Sequence, residues 1–555
     1  MVDYKDILSK PNPFASKSMN ADLESNVLRN CNHDVGAVNG IIFTDTQVLS
    51  QKFSVSREYV IHSINSYISG CSDLGISYIL LDMSETEYAG FIAKDRSWLS
   101  YHKALYAFIK NNGITTYTST SVFIIGGNDV IAIPHWVFDL DNNETGYRIQ
   151  IDLWYCFSYG FDVKAQLDGI YKQNQNVAPE NLERELLSAI CFNISRLPLA
   201  DGVQELSFDA TIGSYFNRVL NCRMCVDVNS GVMATAEQWL RESSFVSENL
   251  PLLPLNCDER FVYNGMYRSP NADIYDKNFL KPYIDSLAKA DYLLFNLHGH
   301  DGKEFTGYYG NKNAQGETCT AFDISVLPYC KAKVFNTMAC HGARYEGYDT
   351  QSSILLSSIY GSMLSFVGAS NIAYGCCGRE YPCGCSETLL KIYTERILMG
   401  ESFGEALLRT KIEYLVNFTV IDSFEYAYYT ICEFNLYGDP LIHCRTISSK
   451  AKSIKPKLQP KYKPGGYSYA SLDETYERVR NLVDNTLDQI TDRLQRLLSL
   501  DYGFEDVELK SVKKNMQGST LVGYTILYEY NWGRTGMVSV RTDKKGNPSA
   551  IFYTK

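Results

Sequence analysis

No stretch of this sequence approaches the roughly 18 consecutive apolar residues that a membrane-spanning helix needs. The first twenty residues, MVDYKDILSKPNPFASKSMN, carry charges and two prolines where a secretory signal needs about 7 to 15 apolar residues in a row. A soluble, unexported chain located in the cytoplasm is expected. Positive charge is also in deficit: 52 Lys and Arg against 63 Asp and Glu leave a net charge of -11. That balance opposes an extended basic face and excludes nucleic acid and anionic membrane as main partners, while a cationic substrate suits it. Cysteine is sparse, 16 in 555 residues, far below the density of a disulfide scaffold, so reduced thiols are expected. No G-x-G-x-x-G is present, and the GGND beginning at Gly126 leads into a prolyl turn instead of a helix, which excludes a dinucleotide fingerprint. Repeats with a period of 20 to 50 residues are missing too.

What the chain does have is an apolar share of 45%, a charged share of 21% and an aromatic share of 13%, the composition of a globular protein with a large core. Its 555 residues exceed what one core accommodates, so two or three domains are expected. Short apolar runs closed by Gly, Asp or Asn recur: ISYILLDM from Ile76, SVFIIGGNDVIAIP from Ser121, DYLLFNLHGH from Asp291, KVFNTMACHG from Lys333 and SMLSFVGAS from Ser362. Near-continuous Val, Ile and Leu, with helical stretches such as SWLSYHKALYAFIKNN between them, predict buried strands of a parallel sheet joined by helical crossovers. Open sheets of this kind place their chemistry at the carboxyl ends of the strands.

Two of those ends carry reactive side chains. One delivers His298 followed by Gly299, the other Cys340 followed by His341 and Gly342. A thiol becomes a useful nucleophile beside an imidazole, and a base on a neighbouring strand meets that need without sequence adjacency. The amides of Gly299 and Cys340 are candidate donors to a developing oxyanion. His341 reads as a turn-shaping residue. Cys376, Cys377, Cys383 and Cys385 crowd GCCGREYPCGC, but their spacing lacks the paired C-x-x-C of a zinc ribbon, so a substrate-facing loop with packed thiols is expected there. Cys222 and Cys225 form a C-x-x-C without a second pair and read as incidental.

The order of these pieces resembles the caspase/hemoglobinase fold of cysteine peptidases (clan CD), in particular its gingipain-like branch. The resemblance rests on the strand ending His-Gly, the strand about forty residues later ending Ala-Cys, and SMLSFVGAS. SVFIIGGNDVIAIP, NISRLPLAD, GESFGEALLRTK and FNLYGDPLIH add to it, and together they span about residues 70 to 445. The resemblance implies Cys340 as nucleophile, His298 as its imidazole partner, Gly299 and the Cys340 amide as oxyanion hole, no metal or organic cofactor, and a protein or peptide substrate cut after Arg or Lys. Many gingipain-like sequences read Gly-His-Gly at the base, which points to His300; His298 is favoured because it follows the apolar run and directly precedes Gly. Asp301, Glu304, Glu346 and Asp349 are candidate acids for a specificity pocket.

The expected fold is α/β: a caspase-like, mostly parallel sheet flanked by helices in two α/β subdomains, plus a small C-terminal α+β domain. Residues 1–50 are expected to be a lead-in, 51–255 an N-terminal α/β subdomain, 256–449 the catalytic one, 450–466 a Lys/Pro-rich linker (KAKSIKPKLQPKYKPGG in its surroundings), and 467–555 a helix followed by an antiparallel meander. That tail is expected to dock on the peptidase, control access or recruit a protein partner. Two other readings stay open: a metal-dependent hydrolase using His298, His300 and Asp301, and a catalytically silent caspase-fold binding protein.

Overall fold

The computed structural model describes residues 38–446 and 487–554, less 115–119, 139–146, 158–189, 203, 205, 237–254, 257–261, 264–284, 300–306, 313–317, 378–384, 419–423, 502–504, 518–519, 532–534 and 544–547. Sixteen of its strands carry the description. The main sheet uses β1 (Gly40–Thr44), β2 (Tyr78–Asp82), β3 (Ser121–Ile125), β4 (Asn193–Leu197), β5 (Gly231–Ala236), β6 (Leu255–Asn256), β7 (Val262–Tyr263), β8 (Tyr292–Asn296), β9 (Val334–Thr337), β10 (Ser365–Ala369) and β12 (Phe434–Gly438). Their order across the sheet is β7-β5-β8-β9-β10-β12-β4-β3-β1-β2, with β6 pairing β5. A second sheet, β11-β16-β15-β14-β13, combines β11 (Tyr374–Cys377) with β13 (Glu505–Gln517), β14 (Thr520–Asn531), β15 (Thr535–Asp543) and β16 (Pro548–Thr554).

The fold is mixed α/β with a large, mostly parallel sheet flanked by helices, as the apolar runs predict. β1, β3, β8 and β10 are buried at every position, which is why they read as continuous apolar sequence instead of alternating. Between them, the helix Trp98–Asn111 buries Tyr101, His102, Leu105, Phe108 and Ile109 at three- and four-residue spacing. Side-chain caps fix where helices begin. Ser56 accepts from the Tyr59 amide at 3.1 Å to open Arg57–Ser72, and Asp45 accepts from the Val48 amide at 3.0 Å to open Thr46–Phe53.

Three sequence expectations change. Residues 40–50, inside the expected lead-in, form β1 and most of the helix Thr46–Phe53, and β1 lies between β2 and β3 in the sheet. The five-residue run GIIFT is short and follows polar sequence, so it carries little signal although all of it is buried. The expected subdomain boundary at 255/256 leaves β5 with the N-terminal part, yet β5 pairs β8 in parallel register over five residues and belongs beside the strands that carry the candidate site. The sheet itself continues across both parts. Finally, Tyr374–Cys377 is a strand, not a loop. The expected linker and Cys383 lie outside the described residues; the tail helix is described over Leu487–Asp501.

Two buried polar clusters tie the parts together. Arg196 of the NISRLP segment is fully buried and donates to both carboxylate oxygens of Asp152, at 2.6 Å from Nη2 to Oδ1 and 2.9 Å from Nε to Oδ2, and to the carbonyls of Gly126 and Ile131. Such a pair persists because all three guanidinium nitrogens donate; stranding one partner costs roughly 3–5 kcal/mol. Asp439, in the Gly-Asp-Pro turn after β12, accepts from the hydroxyls of Tyr67 at 2.5 Å and Tyr78 at 2.7 Å. Both motifs of the resemblance are therefore structural anchors.

His102 supplies a pH handle. Burial drives its imidazole down from 6.5 to about 4, against the raising effect of the Phe157 carbonyl 2.7 Å from Nε2. The unfolded chain binds a proton near pH 6.5 and the folded chain does not, so stability is complete above that pH and falls as pH drops towards 4, by about 3 kcal/mol at most. Denaturant midpoints measured between pH 7 and 4 are expected to fall less steeply for His102→Gln, which keeps an N–H donor but cannot be protonated.

Candidate functional site

β8, β9 and β10 run parallel, so their carboxyl ends emerge at one edge of the sheet. β9 ends at Thr337, and residues 338–343 form a tight loop pinned from several sides. Met338 N–H donates to the Phe295 carbonyl of β8 at 2.9 Å, Ala343 N–H to the Ala369 carbonyl of β10 at 2.9 Å, and His341 N–H to the Asn371 carbonyl at 2.5 Å. Tyr308 donates its hydroxyl proton to the Gly342 carbonyl at 2.7 Å. His341 sits at φ 52°, in the left-handed region, where a turn-shaping residue belongs. The loop is thus held by its own backbone and by both flanking strands.

Cys340 occupies the crest of that loop, 3% exposed, with Sγ 3.4 Å from the Ala373 carbonyl as donor. Ala373 immediately precedes β11. His298 is 9% exposed, two residues beyond the end of β8. Gly299 also links the two strand ends. A Cβ placed there would lie 1.6 Å from the Cys340 carbonyl oxygen, 2.5 Å from its carbon and 2.9 Å from its nitrogen. Only glycine allows that approach. The residue after the candidate base therefore packs directly on the backbone of the candidate nucleophile, and the two amides proposed as oxyanion donors belong to chain segments in contact.

His300, Asp301 and Glu304 lie outside the described residues, so two of the three ligands of the metal-dependent reading do as well. Among the described residues, no group of three or more His, Cys, Asp or Glu side chains is arranged to hold a metal ion. Of the other candidate acids, Glu346 accepts from Gln150 Nε2 at 3.0 Å and lies 2.9 Å from His135 Nε2. Asp349 accepts from Ser352 Oγ at 2.6 Å and from the Gln351 amide at 2.9 Å, and these bonds hold its carboxyl below the usual range. It is an anion at neutral pH.

Sequence reading missed Asp201. It follows the SRLPLA segment, accepts from the Gly347 amide at 3.0 Å and, with Asp349, lines a cavity of about 310 Å³ that Gln204, Thr350 and Ser352 also border. Its signal was the acid that closes NISRLPLAD, a motif already singled out. The cavity lies between residues 347–352, which follow the Cys340 loop in sequence, and the segment after β4. Among the described residues, no helix is long and apolar enough to cross a membrane.

Comparison with known proteins adds the following. The family model described as peptidase family C25 matches residues 227–445, the segment holding β5 to β12 with His298 and Cys340. No curated protein matches the chain. Among solved structures, one described as a protease is similar over 93% of this chain and 97% of its own, at 9% identity and a TM-score of 0.43. The separase–securin complex of Saccharomyces cerevisiae is similar over 68% of this chain and 27% of its own, at 10% identity and a TM-score of 0.27. Residues 227–445 are thus similar to peptidase family C25, and that likeness supports a cysteine-type peptidase.

Proposed function

We propose that this peptidase is an endopeptidase that cuts after a basic residue, through Cys340 and His298. The contact of Gly299 with the Cys340 backbone carries the reading, because it joins the two strand ends that must cooperate. Cys340 Sγ, deprotonated by the His298 imidazole, attacks the scissile carbonyl carbon. The carbonyl oxygen becomes an oxyanion facing the N–H groups of Gly299 and Cys340, each worth roughly 3 kcal/mol in such a role. As the C–N bond breaks, His298 returns its proton to the departing amine, leaving a thioester on Cys340. Water then loses a proton to His298, attacks the thioester carbonyl and releases the acid and the thiol. Neither metal nor organic cofactor takes part.

The basic preference is supported by the acidic cavity. A lysine or arginine side chain entering it meets the anionic Asp349 and the carboxylate of Asp201, and the desolvation of both charges is offset by their pairing. Reporter peptides differing only in Arg, Lys, Asp or Asn before the cut test this. Arg and Lys are expected to be hydrolysed best, and Asp201→Asn is expected to lower kcat/KM for both by about tenfold or more, mostly through KM, as loss of one charged contact implies. A flat response to the four peptides would remove the specificity and favour a silent binding protein.

A further inference from the structure

Cys340 is covered from an unexpected direction. Its sulfur touches the carbonyl of Ala373, and the next four residues form β11, whose partner is the last described strand of the chain. Tyr374 pairs with Thr554, Gly375 with Tyr553, Cys376 with Phe552 and Cys377 with Ile551, in antiparallel register. On its other side, Gly375 bridges Cys385. β16 thus fills the edge of β11 that Cys385 leaves open.

Direction matters here. β11 runs away from Cys340, so an antiparallel neighbour runs towards it. The acyl half of a peptide substrate must do the same, because the residue whose carbonyl meets the sulfur is the last of that half and the residues before it lead in from outside. An extended segment satisfies its backbone by adding to a strand edge, and one edge offers one row of N–H and C=O groups. Thr554 stands opposite the residue after Ala373, one strand spacing away, about 4.8 Å.

We infer that the outer edge of β11 is the pairing site for the acyl half of the substrate and that residues 548–554 fill it, so that the C-terminal unit keeps the peptidase closed until β16 is displaced. This rests on Cys340 as nucleophile. A substrate strand and β16 compete for the same hydrogen-bonding groups, and opening requires a competitor for β16 or a change that weakens its ladder.

Full-length variants test it. Ile551→Pro with Phe552→Pro removes N–H groups pointing to both neighbours of β16. Hydrolysis of an arginine reporter peptide is expected to rise at least tenfold in kcat/KM, and equal rates in parent and variant overturn the inference. A second variant leaves the strand whole: Phe552→Cys faces Cys376 in the register, and the oxidised cross-link is expected to cut hydrolysis at least tenfold relative to the parent treated alike, with recovery in dithiothreitol. Activity indifferent to that bond also overturns it. A binding arm separates this inference from the catalytic reading. In a Cys340→Ala background, a fluorescent peptide of sequence PSAIFYTK is expected to bind the double-proline chain at least tenfold more tightly than the parent, and equal affinity, or binding to neither, overturns the pairing site. If the peptide distinguishes the two chains but hydrolysis survives Cys340→Ala, the assignment of the nucleophile fails and the strand edge stands.

Discussion

Cys340→Ala is expected to yield a folded chain that hydrolyses reporter peptides at least a thousandfold more slowly than the parent. The substitution removes one sulfur, whose S–H donates weakly to the Ala373 carbonyl, and leaves the backbone of the loop untouched, so it costs little in stability. It abolishes the covalent route, and the residual rate would come from the oxyanion donors and substrate binding alone. Peptide hydrolysis, with circular dichroism as the check on folding, reads both effects. His298→Ala should lose activity to a similar degree, since the two groups act as a unit, and the double variant should be little worse than either. A Cys340→Ala chain that cleaves at the parental rate would show that another thiol performs the chemistry.

Gly299→Ala should be nearly as damaging by a different route. The added methyl would overlap the carbonyl oxygen of Cys340, and its neighbours there are backbone atoms that cannot rotate away. The ends of β8 and the nucleophile loop must separate by an ångström or more, and a displacement of about that size in a catalytic group costs on the order of a hundredfold in rate. Overpacking at such a contact also costs roughly 1–3 kcal/mol. Thermal unfolding and kcat/KM should therefore fall together. Gly361→Ala is the matched control: it ends the helix Ile354–Gly361, a Cβ there meets no atom within 4 Å, and both quantities should stay close to those of the parent. If Gly299→Ala behaves like that control, the two strand ends are not as tightly joined as described.

The parts of the fold visible in the sequence share one physical property. β3, β8, β9 and β10 are covered on both faces, so their apolar runs are nearly unbroken and end where the chain turns. His298 and Cys340 stood out because a reactive side chain at the end of such a run has few structural reasons to be there. What lay hidden depended on tertiary partners. β1 is a five-residue strand whose identity comes from pairing β2 and β3. β5 looks like any short apolar stretch until it pairs β8. YGCC held two cysteines that invited a loop or metal reading, and only the arrival of residues 551–554 makes it a strand. Asp201 could not be matched to Gly347 from sequence, since 146 positions separate them.

β12 has a consequence for biogenesis. Among the described residues it pairs with both β10 and β4, through the ladder from Ser365–Gly438 to Ala369–Phe434 and the bridge between Tyr437 and Arg196. On the ribosome, β4 and β10 are made well before Phe434 emerges, and at roughly 5–20 residues per second several seconds elapse between finishing β10 and finishing β12. Throughout that interval the nascent polypeptide carries two incomplete half-sheets with open flanks, the state in which partner-seeking between neighbouring polysomal chains is most dangerous. Slow translation through residues 370–433 would lengthen this exposure, so holdase chaperones acting in that window should matter more to yield than those acting after release.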